Sequence, residues 1–300
     1  MYCIINKKLK MKAKLFMTIA AATMILAGCG NDENEELDNW NGEIRLSSGV
    51  TVQQTRANSD EVPDKQIAEN QKVKVVVAKQ NDDSHDYAGY SLDFTADGNG
   101  GLSSTTPMYY PTSGMGVNIY AYHPANAAAS FSVQENQSAD ADYYKSDLLY
   151  SEAKDYDRQK TAHSLTFVHK LCKVEYTLTA GDGAPDLTDA TVKWMNVAKT
   201  IGFTAATSEV ATPTNVTTII PHATYGAVIV PQTVNSGTKL LQVTLANGGV
   251  LYYTPNADQV FDGGKKYNYG ITVNLSGLTV KSTITDWDPI TDREGDAVME

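Results

Sequence analysis

Cysteine is nearly missing from this chain. Of three in 300 residues, Cys3 and Cys29 fall in the first thirty positions, so Cys172 stands alone in the body and no internal disulfide can form there. Cys172 alternates with Lys173, Glu175, Thr177 and Thr179 in phase with Val174, Tyr176 and Leu178. That period of two puts the thiol on the apolar face of a strand, as a small hydrophobe with a raised pKa. Basic residues are also scarce, 24 against 35 acidic, for a net charge of -11. Such a surface argues against nucleic acid and anionic lipid as partners. There are five histidines and no H-E-x-x-H, H-x-H or C-x-x-C. His163 and His169, if on one strand, share a face about 20 Å apart, too far for one metal ion. A nucleophile elbow, a phosphate-binding loop and a dinucleotide fingerprint are absent as well. We therefore expect no enzyme, no cofactor and no metal site.

No apolar run reaches the roughly 20 residues that span a bilayer as a helix. The longest, Leu15 to Ala27, comes after Lys12 and Lys14 and fits the h-region of a secretory signal. Lys7, Lys8 and Lys10 extend the basic flank, and Met11 is an alternative start. Leu26-Ala27-Gly28-Cys29 resembles a bacterial lipobox, which implies cleavage before Cys29 and lipidation of its thiol. Gly30 to Glu36 is then abruptly acidic and resembles the export tag of surface-exposed outer-membrane lipoproteins; it also reads as a solvated linker. Without residues 1–28 the charge becomes -16, with 19 basic and 35 acidic residues.

The body of the chain reads as strand after strand. "KVKVVVA", "GYSLDFT", "GVNIYAY", "SLTFVHKL", "CKVEYTLT", "GAVIVP" and "YGITVNL" are short, β-branched or alternating runs. Turn clusters such as Asp97-Gly98-Asn99-Gly100-Gly101 and Ala246-Asn247-Gly248-Gly249 separate them. Short strands at this spacing predict an all-β fold of antiparallel sandwiches. The polar stretch Tyr150–His163 is the expected break. The organisation expected is a signal peptide over 1–28, a linker and first strand over 29–56, one sandwich over 57–159 and another over 160–300.

Acid pairs at Asp82-Asp83, Asp155 and Asp157, and Asp286 and Asp288 read as solvated turn residues. Seventeen tyrosines against six phenylalanines suit wet surfaces or edge strands. One function they allow is glycan binding by a surface-anchored lipoprotein. Its platform would come from Trp194, Trp287, Tyr109-Tyr110, Tyr143-Tyr144 or Tyr252-Tyr253, with Trp194 read as core beside Val192.

Several stretches together resemble the Mfa-like branch of the fimbrillin family, the type V pilins of anaerobic gut and oral bacteria. They are the lipobox at Cys29, Thr55-Arg56-Ala57, "VNIYAYHP", "SDLLYSEAKD", "LTFVHKLCKVEYTL" and "GKKYNYGITVNLSGLTVKSTITDWDP". The resemblance covers most of residues 29–290. It implies two tandem transthyretin-like antiparallel β-sandwiches and a structural subunit of surface fimbriae, with no catalysis. Members are exported as lipoproteins to the outer membrane. An arginine-specific protease removes the anchor and the first strand from stalk subunits, and a strand from a neighbouring subunit fills the groove. Mapped here, the cut falls between Arg56 and Ala57. The removed strand lies in "EIRLSSGVTV", where Ile44, Leu46, Val50 and Val52 are apolar at even positions and Ser48 is the exception. The product would carry 17 basic and 29 acidic residues, a charge of -12. Expected partners are other fimbrial subunits, the protease, and a host or bacterial surface ligand. Stalk members carry further C-terminal strands as donors. Here only the charged run Thr291–Glu300 comes after "LTVKSTITDWDPI", so either "LTVKSTIT" is the donor or the chain has none. That favours a tip or accessory subunit slightly over a stalk.

Overall fold

The computed structural model describes residues 40–50, 66–80, 87–127 and 129–287. These are nearly all β, as the alternating runs predict. The first strands are β1 (Leu46–Val50), β2 (Lys72–Lys79), β3 (Tyr90–Ala96), β4 (Leu102–Ser103), β5 (Val117–His123) and β6 (Ser130–Ser132). A single helical turn and a half, α1 (Asp140–Lys145), precedes β7 (Leu149–Tyr156) and β8 (His163–His169). Next in the chain are β9 (Cys172–Ala180), β10 (Thr191–Thr204), β11 (Glu209–Val210), β12 (Thr214–Ile219), β13 (Ala227–Ile229) and β14 (Gln232–Val234). The last are β15 (Leu241–Thr244), β16 (Val250–Tyr253), β17 (Gln259–Phe261), β18 (Lys265–Asn274) and β19 (Gly277–Asp286).

Seven strands form one sheet in the order β1-β8-β7-β5-β2-β3-β4. Every pairing in it is antiparallel except β1 with β8, which is parallel. The two ends of this order meet, because Ser47 in β1 bridges to Gly101, the residue before β4. The sheet thus rolls on itself, and β1 closes the roll. Its core is built by alternation: Val73, Val75 and Val77 of β2 and Val117, Ile119 and Ala121 of β5 all point inward.

The second core lies between a sheet ordered β11-β10-β15-β16, with β12 and β6 also on β10, and a sheet ordered β13-β9-β18-β19. Trp194, fully buried as the sequence suggests, packs edge-on against Tyr269 at its centre. Tyr122 and Tyr150 of the rolled sheet reach this core and meet Phe203 of β10 edge-on. The charged stretch Glu152–Asp155 is the exposed part of β7, and β8 beyond it still belongs to the rolled sheet.

Cys172 is buried and its thiol is pushed well up by desolvation. Lys173, placed by the alternation on the polar face, is buried too. β9 lies between β13 and β18, and the Lys173 ammonium is met by Glu175 at 3.1 Å. Burial without such a partner would be costly.

Candidate functional site

The segment from Trp40 to Val50 is gripped on both sides. On one side β1 runs parallel to β8, with Leu46 opposite His163, Ser48 opposite Leu165 and Val50 opposite Phe167. His163 donates its backbone N–H to the Arg45 carbonyl at 2.9 Å. On the other side Ile44 donates to the Met108 carbonyl at 2.8 Å, Tyr110 to the Gly42 carbonyl at 3.0 Å and Ser48 to the Gly100 carbonyl at 2.7 Å. A strand with hydrogen-bonding neighbours on both sides leaves two unpaired edges when it goes.

The turn that meets Ser48 is held by its own sequence. The Asp97 carboxylate accepts the N–H groups of Asn99 at 2.7 Å and Gly101 at 2.8 Å, and these bonds hold its pKa below the usual carboxylate value. Gly100 has a φ of 91°, and a side chain there would bring Cβ to 2.9 Å from the Ser48 carbonyl oxygen. Only glycine fits this approach.

Ile44, Leu46 and Val50 are 4%, 6% and 8% exposed and join the core of the roll with Phe94, Met108, Leu165 and Phe167. Ser48, the exception in the alternation, is half-buried. At roughly 1.5–3 kcal/mol for each buried aliphatic side chain, these three contribute about 5–9 kcal/mol. That rivals the roughly 5–15 kcal/mol by which a whole domain is stable. The roll therefore needs some strand in this slot. A surface cleft of about 230 Å³ is lined by Ile44 and Leu46 together with Phe94, Leu102 and Met108.

A polar relay buttresses the start of the slot. Gln159 donates its amide N–H to His163 Nδ1 at 3.0 Å, which leaves the ring proton on Nε2. Nε2 then donates to Tyr110 Oη at 2.6 Å, and the Tyr110 hydroxyl donates to the Asp157 carbonyl at 3.2 Å. Desolvation pushes the His163 pKa down and that of Tyr110 up, which favours the neutral form of each. Outside them Trp40 lies 6.1 Å from Tyr110, edge-on, with the Arg158 guanidinium 4.8 Å above its ring. Sequence reasoning assigns no role to Trp40 or Arg158; the turn signal Asn41-Gly42 directly after Trp40 is the available hint.

Of the residues expected to matter, the structure brings Ile44, Leu46 and Val50 together in this slot. Cys29, Val52, Arg56 and Ala57 lie outside the described residues. The aromatic platform does not assemble. Trp194, Trp287, Tyr110 and Tyr143 are buried. Tyr109, Tyr144 and Tyr253 are half-buried, and Tyr252 is exposed with the Lys239 ammonium 3.8 Å from its ring centroid. The four described histidines are engaged separately: His163 in the relay, His169 on Asp147 at 2.9 Å, His222 on Asp140 at 3.0 Å and His123 between the Lys72 and Tyr144 carbonyls. Among the described residues no three histidine, cysteine or acidic side chains converge as metal ligands.

A profile of the fimbrillin-like family matches residues 55–287. A candidate fimbrium subunit of Bacteroides uniformis, Fim1C, is 28% identical over 304 aligned positions, covering 93% of this chain and 96% of its own length. Among solved structures, a candidate cell adhesion protein from Bacteroides uniformis superposes with a TM-score of 0.61 at 20% identity, over 83% of this chain and 99% of that one. A candidate cell adhesion protein from Bacteroides ovatus gives a TM-score of 0.61 at 15% identity, with the same coverages of 83% and 99%. These two likenesses carry the β-sandwich fold. The family match, spanning well over half the sequence, carries the identity: the chain belongs to the fimbrillin-like family and is a structural subunit of fimbriae, not an enzyme.

Proposed function

We propose that this subunit is exported as a lipoprotein held at Cys29, is cut between Arg56 and Ala57, and enters a surface fimbrium by taking a neighbour's strand in place of β1. The observation that carries this reading is the position of β1. It closes the rolled sheet and, with Ile44 just before it, supplies three core side chains, yet the next strand in sequence is not its neighbour. β1 pairs with β8 and bridges to Gly101, while β2 lies between β5 and β3. Cleavage in the connection between β1 and β2 therefore breaks no pairing among the described strands. It converts β1 from a covalent part of the fold into a bound ligand, replaceable by β-augmentation. The family match begins at Thr55, one residue before Arg56, so the matched part of the chain excludes β1.

The last described strand is committed to its own fold. β19 pairs with β18 from Gly277 to Asp286 without a break. A subunit that receives a strand and keeps its own fits a tip or accessory position better than a stalk. We also read the fold as two sandwiches in tandem, one around each core. The glycan-binding alternative loses support because Trp194 and Trp287 lie in the core.

The test is the N-terminus and mass of the protein taken from its native cell surface, with and without an inhibitor of arginine-specific proteases. A form beginning at Ala57 that disappears with the inhibitor is the expected result. A form that stays lipidated at Cys29 under both conditions would sink the proposal.

A further inference from the structure

We infer that the slot holding β1 includes an aromatic subsite, now filled by Trp40, and that it selects a strand from a different subunit rather than this chain's own β19. The inference rests on the strand-replacement reading above and deepens it. The subsite has two walls that remain after residues 29–56 leave. One is Tyr110, fixed by the relay through His163, Gln159 and Asp157. The other is the Arg158 guanidinium, 4.8 Å over the Trp40 ring. Gly42 makes the placement possible: its φ of 83° turns the chain so that Trp40 folds back over this corner. A Cβ at Gly42 would lie 3.0 Å from Arg158 Nη2. The Trp40 indole N–H closes the turn on the Glu43 carbonyl at 3.2 Å. With Trp40 gone, Tyr110 loses its cover and Arg158 its ring.

The occupant shows what fits. It is a strand, Leu46–Val50, led in by a turn at Gly42 that carries an aromatic residue four positions before the first inward apolar side chain, Ile44. An aromatic residue is favoured there because it meets both a cation and a second ring. β19 has the inward residues for the slot, with Leu278, Val280, Ser282 and Ile284 matching Ile44, Leu46, Ser48 and Val50. Counting back four positions from Leu278 gives Asn274, which cannot fill the subsite. A copy of this chain thus offers the right strand and the wrong anchor.

The experiment places a sequence-specific protease site at residues 53–57 of the full chain, cuts it, and follows exchange of labelled peptides by anisotropy and native mass. The peptides match residues 38–52, the same with Trp40→Ala, the same with Trp40→Phe, and residues 272–286. The first should enter, the Phe version should stay close to it, and the Ala version and the β19 peptide should bind at least about tenfold more weakly. Arg158→Ala in the protein should weaken the Trp40 peptide roughly threefold to tenfold and leave the Ala peptide unchanged. If all four peptides enter with equal affinity, the aromatic subsite is overturned while strand replacement stands. If none enters after cutting, strand replacement itself fails and the subsite falls with it.

Discussion

β1 and β19 carry the same inward cadence and meet opposite fates. Ile44, Leu46, Ser48 and Val50 read apolar, apolar, serine, apolar; so do Leu278, Val280, Ser282 and Ile284. In β1 and the residue before its neighbour Arg45, the three apolar side chains are buried. In β19 Leu278 and Val280 are half-buried and Ile284 is 53% exposed. The cause is topology. β1 has β8 on one side and the 100–110 segment on the other, with the roll's core beneath it. Among the described strands β19 pairs with β18 alone. A period of two states which residues share a face, and the neighbours decide whether that face is covered.

The largest effect that tests this contrast is a truncation at matched positions. Leu46→Ala should lower stability by about 2–4 kcal/mol, as for other buried leucines. Ile284→Ala should cost about 0.5 kcal/mol or less, as at exposed sites. Urea unfolding of the full chain reads both. Equal losses would mean that the exposed strand is as essential as the buried one.

A second test uses pH, because the wall of the β1 slot contains a histidine, His163, whose pKa burial pushes down. His123, enclosed between the Lys72 and Tyr144 carbonyls, is shifted the same way. Below the unfolded value, about 6.5 for histidine, the unfolded chain takes up protons that the folded one does not. The stability from keeping both rings neutral is complete above that pH. It falls progressively as pH drops toward the folded values. Thermal unfolding should therefore come at lower temperature at pH 5 than at pH 7.5, and His163→Gln should reduce this slope without abolishing it. An unchanged slope in that variant would remove His163 from the account.

How far the fold was legible obeys the same division between local pattern and distant neighbours. β5, β9 and β18 announce themselves through alternation, and the Asp97–Gly101 turn through its glycines. The burial of Ile44, Leu46 and Val50 accords with their phase. The partner of β1 is not written there, because His163 lies 116 residues from Ser47, where one reaches the other's carbonyl. No local signal specifies a parallel pairing at that range. The same reason hides Trp40 and Arg158, which meet only because β1 and β8 do. Lys173 fails differently. Its alternation is right for a strand with one wet face, but β9 is covered on both sides at that position. The polar stretch Tyr150–His163, read as a break, includes the solvated part of β7, Glu152–Asp155, since charge marks exposure and not the absence of structure.

The smallest expected effect lies at the end of β19. Lys265 and Asp286 pair across β18 and β19, with side chains 35% and 34% exposed. An ion pair this open is screened by water and salt, so Asp286→Asn should cost under about 1 kcal/mol. The cost should shrink further at high salt, where the Debye length falls to about 3 Å at 1 M. What fixes this end of the strand is the next residue, because Trp287 is buried and stacks on His169 with ring centroids 3.7 Å apart. If Asp286→Asn were to cost as much as Leu46→Ala at either salt concentration, electrostatics would hold β19 as firmly as burial holds β1. The contrast between the two strands would then rest on something other than how many neighbours each has.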